Sequence, residues 1–408
     1  SDLLLDGGFA GPVHPVNPSS ATIQGLKAYP SVALLPEPVD LALIAVAAQQ
    51  VMEVLEQCAR RGVRAAAIFT AGANGVPVGQ RLQDQVAAFA RRSGMRILGP
   101  NAEGFIDTEG QLLATFSPTL QHVPPLPRGA LPRRGRVSIV SQSGAMAFAL
   151  YSRAMEQQIP VRHLVSTGNE ADVELLEVVE HLVERGESRA ILLFIEGFRD
   201  PRRFAAVASR AADAGIVLVA AKIGRSRAGQ RAAVSHTAHL TGADTAYDAA
   251  FERHGVIRAD TPDDMLAIAA AVSAGVRPPG RRIAIVTTSG GAGGWAADIC
   301  EQAGLEVPEF DPEFKRRLGE IVPDYGSPEN PVDVTARVVE DGGKTLLAIL
   351  ELLGTARGID AGLVIMSLVA PGRITSIEAE LAALHARHGH PIVFHSPGAA
   401  APEALAAL

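Results

Sequence analysis

Along most of the chain, short runs of Val, Ile, Leu and Ala alternate with longer stretches in which apolar residues recur every three or four positions. The first pattern is that of strands buried on both faces and the second that of amphipathic helices. Their alternation predicts α/β architecture. A strand over 41–46, a helix over 49–61, a strand over 65–70, a helix over 80–92 and a strand over 96–98 compose the first region. It gives way to His122-Val123-Pro124-Pro125-Leu126-Pro127, a Pro-rich run that continues to Pro132. Proline lacks a donor and disfavours helix before it, so 122–135 is a predicted linker. The second region, 136–274, opens with a strand over 136–141 and closes with an apolar helix over 263–273. A second linker, 275–281, holds Pro278, Pro279 and Gly280 and leads to a third region, 282–408, which opens with a strand over 282–287. The expectation is three doubly wound domains with mainly parallel sheets, the first spanning 1–121.

The second and third regions open alike. Val137-Ser138-Ile139-Val140-Ser141-Gln142-Ser143-Gly144 aligns without a gap on Ile283-Ala284-Ile285-Val286-Thr287-Thr288-Ser289-Gly290. Each reads as a buried strand, a Ser-Gly turn and the start of a helix. The N–H groups of a helix N-terminus are unpaired and carry partial positive charge, so both turns are candidate phosphate or carboxylate sites. An ordinary helix cap would carry the same residues. The third region also contains Gly291-Ala292-Gly293-Gly294-Trp295-Ala296, a literal G-x-G-x-x-A, with Glu306, Glu309 and Asp311 near the spacing of a ribose ligand. That keeps an NAD-linked oxidoreductase open as a rival reading.

Two further features carry possible chemistry. The stretch 222–242 holds four cations, Lys222, Arg225, Arg227 and Arg231, ahead of His236 and His239, and reads as a long loop rich in Gly and Ala. A histidine there could be a base, a nucleophile or a phosphate carrier. Glu196 follows the apolar strand 190–195, where the carboxyl end of a parallel strand meets ligands, and could orient an imidazole. His385, His388, His390 and His395 lack a cysteine or carboxylate frame and read as a solvated helix end, so no metal site is expected. Cys58 falls on an apolar helix face and reads as core.

Composition narrows the class. At roughly 150 residues per domain, 408 residues suit three domains. With 47% hydrophobic residues, wholesale disorder is excluded, and 4% aromatics point to aliphatic cores. A net charge of −7, spread along the chain, marks no nucleic-acid binder. Two distant cysteines exclude a disulfide framework and suggest a reducing, cytoplasmic setting. No apolar run approaches the roughly 20 residues that span a bilayer, and Ser1-Asp2-Leu3-Leu4-Leu5-Asp6 is no signal peptide.

Several motifs, in order, resemble a known family. Pro15-Val16-Asn17-Pro18, then Pro36-Glu37-Pro38-Val39-Asp40, then Gly99-Pro100-Asn101 resemble a CoA-binding domain. Ser141-Gln142-Ser143-Gly144, Gly168-Asn169-Glu170-Ala171-Asp172, Ile195-Glu196-Gly197 and Ser235-His236-Thr237 resemble the ligase domain that follows it, and Asn330-Pro331-Val332-Asp333-Val334-Thr335 resembles the third. Together they resemble the NDP-forming acyl-CoA synthetases, relatives of succinyl-CoA synthetase. The resemblance implies a Rossmann-like CoA-binding domain followed by two flavodoxin-like ligase domains. It implies reversible conversion of a small carboxylic acid, CoA and ATP to acyl-CoA, ADP and phosphate, through acyl-phosphate and a phosphohistidine.

On that resemblance His236 is the phosphohistidine and Glu196 its support. Ser143, Gly144, Ser289 and Gly290 cradle the phosphate, and Asn17, Val46, Ala47, Ala48, Thr70, Gly72 and Asn101 contact coenzyme A. The sequence departs from the family at Ala47, where proline is usual, at Ala102, where cysteine is common, at Ser19, where lysine is frequent, and at Ala238, where glycine is more often found. His239 is thereby a minor competitor for the phosphoryl group. The chain is expected to start after the family's first strand and Gly-rich loop. The ATP/ADP and Mg2+ site belongs to an ATP-grasp domain or subunit that has no trace here, so a homo- or hetero-oligomer is expected. A non-catalytic CoA-sensing module that kept the fold remains the other alternative.

Overall fold

The computed structural model describes residues 2–71, 76–121, 137–236, 244–273, 275, 277–335 and 341–408, with backbone alone at 2, 76–81, 121 and 232–236. The chain divides into two compact units, Ser1–Ser273 and Ala274–Leu408. The expected first linker, 122–135, lies outside the described residues.

The first unit contains two main sheets. In the smaller, β1 (Leu41–Ile44), β2 (Ala65–Ile68) and β3 (Arg96–Leu98) run parallel in that order. Helix α1 (Val51–Arg60) places Val51, Leu55 and Cys58 on one face at helical spacing, and all three are buried against this sheet's core. Burial pushes the Cys58 thiol up to about 11, which suits an inert packing residue rather than a nucleophile.

A hairpin follows, β4 (Gly104–Asp107) and β5 (Leu112–Thr115), and then the strands of the larger sheet. These are β6 (Val137–Ser141), β7 (Val161–Ser166), β8 (Ala190–Ile195), β9 (Val217–Lys222) and β10 (Ile257–Arg258). The order is β10-β9-β8-β6-β7-β4-β5, and β6 to β10 are parallel. Leaving the hairpin aside, the five strands form the doubly wound arrangement of flavodoxin-like folds, with β6 and β8 flanking the point where the winding reverses. The hairpin 104–115 falls before the expected linker, and β4 pairs antiparallel with β7, Ile106 opposite Leu164. It covers what would otherwise be a bare sheet edge.

The two sheets are joined by the segment after β7. Asn169 N–H donates to the Pro100 carbonyl (2.9 Å), Ala171 N–H to the Gly99 carbonyl (2.8 Å) and Val173 N–H to the Ile97 carbonyl (3.1 Å). The Asp172 carboxylate accepts from the Ile97 N–H at 2.8 Å. Gly168-Asn169-Glu170-Ala171-Asp172 therefore works as a brace between the first and second regions.

In the second unit β11 (Ile283–Thr287), β12 (Val332–Asp333), β13 (Ala361–Ile365) and β14 (Ile392–His395) are parallel, ordered β12-β11-β13-β14. This is the same winding, with β11 and β13 at the reversal. The helix Lys344–Gly354 buries Leu346, Ile349, Leu350 and Leu353 at helical spacing in its core.

Asp360, just before β13, accepts from the Arg282 backbone N–H (2.9 Å), its Nε (3.0 Å) and its Nη2 (2.9 Å). These bonds lower its carboxyl from 3.8 to about 2. A depressed carboxyl contributes stability above its unfolded value, about 3.9, and loses that contribution as pH falls through the folded value. Asp360→Asn should therefore lower the urea midpoint at pH 6, with the gap from wild type closing as pH falls from about 4 towards about 2. A gap independent of pH would refute the linkage.

Candidate functional site

The two Ser-Gly turns that match in sequence also match in structure. Ser141 Oγ donates to the Ser143 carbonyl (2.6 Å) and accepts from the Ser143 N–H (3.1 Å). Thr287 Oγ1 donates to the Ser289 carbonyl (2.9 Å) and accepts from the Ser289 N–H (3.0 Å). Gln142 N–H reaches the Phe194 carbonyl of β8 at 3.2 Å, as Thr288 N–H reaches the Ile365 carbonyl of β13 at 3.1 Å. Each turn thus leaves the first strand of its own sheet, hooked to the strand across the winding reversal. A crevice forms at such a point because successive connections depart to opposite faces.

Helices α2 (Gly144–Glu156) and α3 (Gly290–Gln302) start at these turns. Ser143 Oγ accepts from the Met146 N–H at 3.4 Å, whereas Ser289 makes no side-chain cap bond. A Cβ on Gly144 would lie 2.6 Å from both Cβ and Oε2 of Glu103, and one on Gly290 would lie 2.9 Å from an Asp333 oxygen. Only glycine fits at Gly144. Glu103 was not singled out in the sequence; it lies at the open end of the β4–β5 hairpin, whose sheet partner the sequence does not reveal.

Glu196 follows β8, across the crevice from the Ser143 turn, and is 5% exposed. Beside it, opposite Ile195 in register, Lys222 ends β9. Lys222 is 6% exposed, and its ammonium donates to the Ile223 carbonyl and lies 4.7 Å from the centre of the Tyr247 ring. Burial lowers its pKa, Asp244 opposes that, Arg258 adds to it, and Glu196 opposes it. The sequence presented Lys222 only as the first residue of a loop; its burial beside Glu196 depends on the pairing of β8 with β9.

The stretch 222–242 is not all loop. Ser226 caps a helix, Arg227–His236, accepting at its Oγ from the Gly229 N–H (3.0 Å) and at its carbonyl from the Gln230 N–H (2.8 Å). The Ala, Arg and Gln content that suggested a mobile loop also favours helix once a cap is in place. His236 is the last residue of this helix. Its side chain, with Thr237 and His239, lies outside the described residues.

The expected CoA contacts gather mainly at the carboxyl edge of the first sheet. Thr70 Oγ1 donates to the Val46 carbonyl (2.6 Å), and the Thr70 carbonyl accepts from the Asn101 N–H (3.0 Å). Ala47 and Ala48 continue from Val46 into a short 3-10 turn, Ala48–Gln50. Asn101 has φ 60, in the left-handed region that asparagine tolerates better than most residues, and remains exposed. Asn17 stands apart from this hydrogen-bonded set. Its Oδ1 accepts from the Ser19 N–H at 2.8 Å in a local turn. Gly72 lies outside the described residues.

The G-x-G-x-x-A run does not form a dinucleotide turn. Its first glycine, Gly291, already lies within α3, and none of Gly291, Gly293 and Gly294 has positive φ. Gly293 instead allows close packing: a Cβ there would be 2.7 Å from Thr287 Cγ2. Asp311, one of the candidate ribose ligands, caps the helix Pro312–Gly319 through the Phe314 N–H at 2.9 Å. In the C-terminal histidine group, His388 Nε2 lies 2.8 Å from Glu351 Oε1, so it is tied to a helix rather than solvated. Among the described residues no three His, Cys, Asp or Glu side chains group to hold a metal ion.

Residues 3–107 match the family described as a CoA binding domain, and 134–272 match the succinyl-CoA ligase like flavodoxin domain. The chain is 36% identical over 327 residues to the alpha subunit of the ADP-forming acetate–CoA ligase II of Pyrococcus furiosus, covering 80% of this chain and 68% of that protein. It is 34% identical over 363 residues to the ADP-forming acetate–CoA ligase I of Archaeoglobus fulgidus, covering 89% of this chain and 50% of that protein. Among solved structures, the dinucleotide-forming acetyl-coenzyme A synthetase 1 of Ca. Korarchaeum cryptofilum, determined with phosphate and ADP, matches with a TM-score of 0.83. That match covers 99% of this chain and 84% of the other, at 28% identity.

Proposed function

The chain belongs to the NDP-forming acyl-CoA synthetases, and within that family of CoA ligases we propose that it carries the CoA-binding and phosphohistidine steps. Phosphate attacks the thioester carbonyl of acyl-CoA, releasing the CoA thiol and leaving acyl-phosphate. A nitrogen of His236 then attacks phosphorus, the carboxylate leaves, and the resulting phosphohistidine passes its phosphoryl group to ADP. The relatives named as acetate–CoA ligases favour a small carboxylic acid as substrate.

The observation that carries this reading is the placement of buried Glu196 across the winding reversal from the Ser143–Gly144 turn. The helix end offers N–H groups to the phosphoryl oxygens, an effect of roughly 0.3–1 kcal/mol when exposed and up to about 2 when partly buried. The Glu196 carboxylate would hold one imidazole nitrogen so that the other faces phosphorus, and would favour the cationic ring as phosphate leaves for ADP. Ser289 and Gly290 supply the corresponding turn of the second unit. Val46, Ala47, Ala48, Thr70, Gly72 and Asn101, with Asn17, take CoA through backbone and hydroxyl groups, with the thiol directed to the phosphate turn.

The nucleotide step needs an ATP-grasp domain or subunit, where ATP or ADP and Mg2+ would sit. The Pyrococcus relative is named as an alpha subunit, which favours assembly with a partner. Among the described residues no helix is long and apolar enough to cross a membrane. Combined with an ATP-grasp partner, the protein should make ATP from ADP, phosphate and acetyl-CoA, followed by luciferase luminescence. CoA binding by calorimetry without any ATP formation across a panel of acyl-CoAs would favour the CoA-sensing module instead.

A further inference from the structure

We infer that Gln142 and Glu170 are positioning residues for Glu196: the Glu170 carboxyl dictates which way the Gln142 amide faces, and that amide locks the strand end bearing Glu196. The inference rests on the supporting role of Glu196 proposed above.

Gln142 is 6% exposed and Glu170 1%. Gln142 Oε1 accepts from two successive backbone donors, the Glu196 N–H at 2.6 Å and the Gly197 N–H at 3.1 Å. Gln142 Nε2 donates to the Gly197 carbonyl at 2.7 Å and to Glu170 Oε2 at 3.0 Å. One side chain thus fixes both peptide groups that flank the Glu196 side chain, and so the direction in which its carboxyl leaves the strand. Turned over, the amide would set NH2 against two N–H donors and oxygen against two acceptors, and all four contacts would fail.

Glu170 supplies an acceptor that sets this choice. Its other oxygen, Oε1, accepts from Thr167 Oγ1 and from the Leu175 N–H, each at 2.8 Å, so the carboxyl cannot swing away. Its backbone has φ 56, a conformation unusual for glutamate, which persists where surrounding bonds over-determine it. Thr167 N–H in turn donates to the Ser141 carbonyl at 2.9 Å. One buried network therefore ties the ends of β6, β7 and β8 together, with the phosphate turn at one side of it and Glu196 at the other.

The test uses the enzyme assembled with its ATP-grasp partner and the variants Gln142→Leu, Glu170→Gln and the exchange Gln142→Glu with Glu170→Gln. Removing hydrogen bonds to a charged or buried group should lower kcat and the single-turnover rate of phosphohistidine formation about 10- to 100-fold in each single variant. The KM for acyl-CoA should stay within about twofold, since the network touches the transferred phosphoryl group's support and not the CoA arm. In the exchange, the carboxyl at 142 still accepts from both N–H groups and from the amide at 170, and it keeps the bond to the Gly197 carbonyl only as a protonated O–H donor, since an ionised oxygen there would face that carbonyl. Its rate should therefore exceed that of both single variants, a coupling that simple loss of packing would not produce.

Single variants within about twofold of wild type, or a change confined to KM, would overturn the inference. So would an exchange variant that does not exceed both single ones. If Gln142→Leu does not fold, Glu170→Gln and the exchange decide the matter. Glu196→Gln run alongside separates the two levels. Full activity there removes the role of Glu196 itself, whereas an inactive Glu196→Gln with fully active Gln142→Leu and Glu170→Gln overturns only the positioning.

Discussion

His236→Ala protein, assembled with its ATP-grasp partner and given radiolabelled ATP, should take up no acid-labile, base-stable phosphate. Its rate of ATP formation from acetyl-CoA should fall at least about a thousandfold, the order of loss seen when a covalent nucleophile is removed. A phosphoramidate hydrolyses in acid and survives base, so the lability distinguishes histidine from serine and aspartate esters. The first step, attack of phosphate on acyl-CoA, forms no bond to His236. Phosphate-dependent exchange of CoA into acyl-CoA should therefore persist in the variant. Full labelling of His236→Ala would move the phosphoryl carrier to another residue, with His239 the first to test. Loss of the exchange as well would assign His236 a part in the first step.

Gly168→Val should lower the melting temperature more than any surface substitution. Gly168 has φ 60, and a Cβ there would lie 2.5 Å from the Pro100 carbonyl oxygen and 2.6 Å from the carbonyl carbon and oxygen of Asn101. A left-handed L-residue costs roughly 1–2 kcal/mol and forced overpacking about 1–3 more, giving about 2–5 kcal/mol together. For a unit of this size that corresponds to a drop of roughly 3–9 °C by calorimetry. Because the obstructing atoms belong to the backbone at Asn101, the KM for CoA should rise as well. Gly168→Ala, still in the left-handed region but less bulky, should fall between the two. A Gly168→Val melting temperature equal to wild type would show that the brace between the first two sheets yields easily.

The site was unevenly readable in the sequence. The Ser143 and Ser289 turns could be found because a strand, a Ser-Gly pair and a small-residue helix start repeat within one local window. Glu196 could be found because an acidic residue interrupts the end of an apolar strand. Glu103 and Lys222 could not, since what matters about each is a neighbour supplied by another strand: the α2 start for Glu103, and the β8 edge for Lys222. Glu170 carried a weaker signal. It sits in a Gly-Asn-Glu-Ala-Asp run whose composition marks a turn, but nothing local says that its carboxyl is buried against Gln142.

The sequence alone determined most element types, the α/β class and the paired turns, because hydrophobic periodicity and turn chemistry are properties of a few adjacent residues. It left open what depended on distant partners. The hairpin 104–115 alternates the same way whichever sheet it joins, and only its pairing with β7 placed it in the larger one. The run 291–296 satisfies a dinucleotide pattern, but the helix beginning at Gly290 absorbs it. The tertiary structure decided these points because strand pairing, burial and amide orientation are settled by contacts between segments far apart in the chain. The clearest case is Gln142: its neighbours in sequence are a serine on either side, yet its position is fixed by Glu170, Glu196 and Gly197.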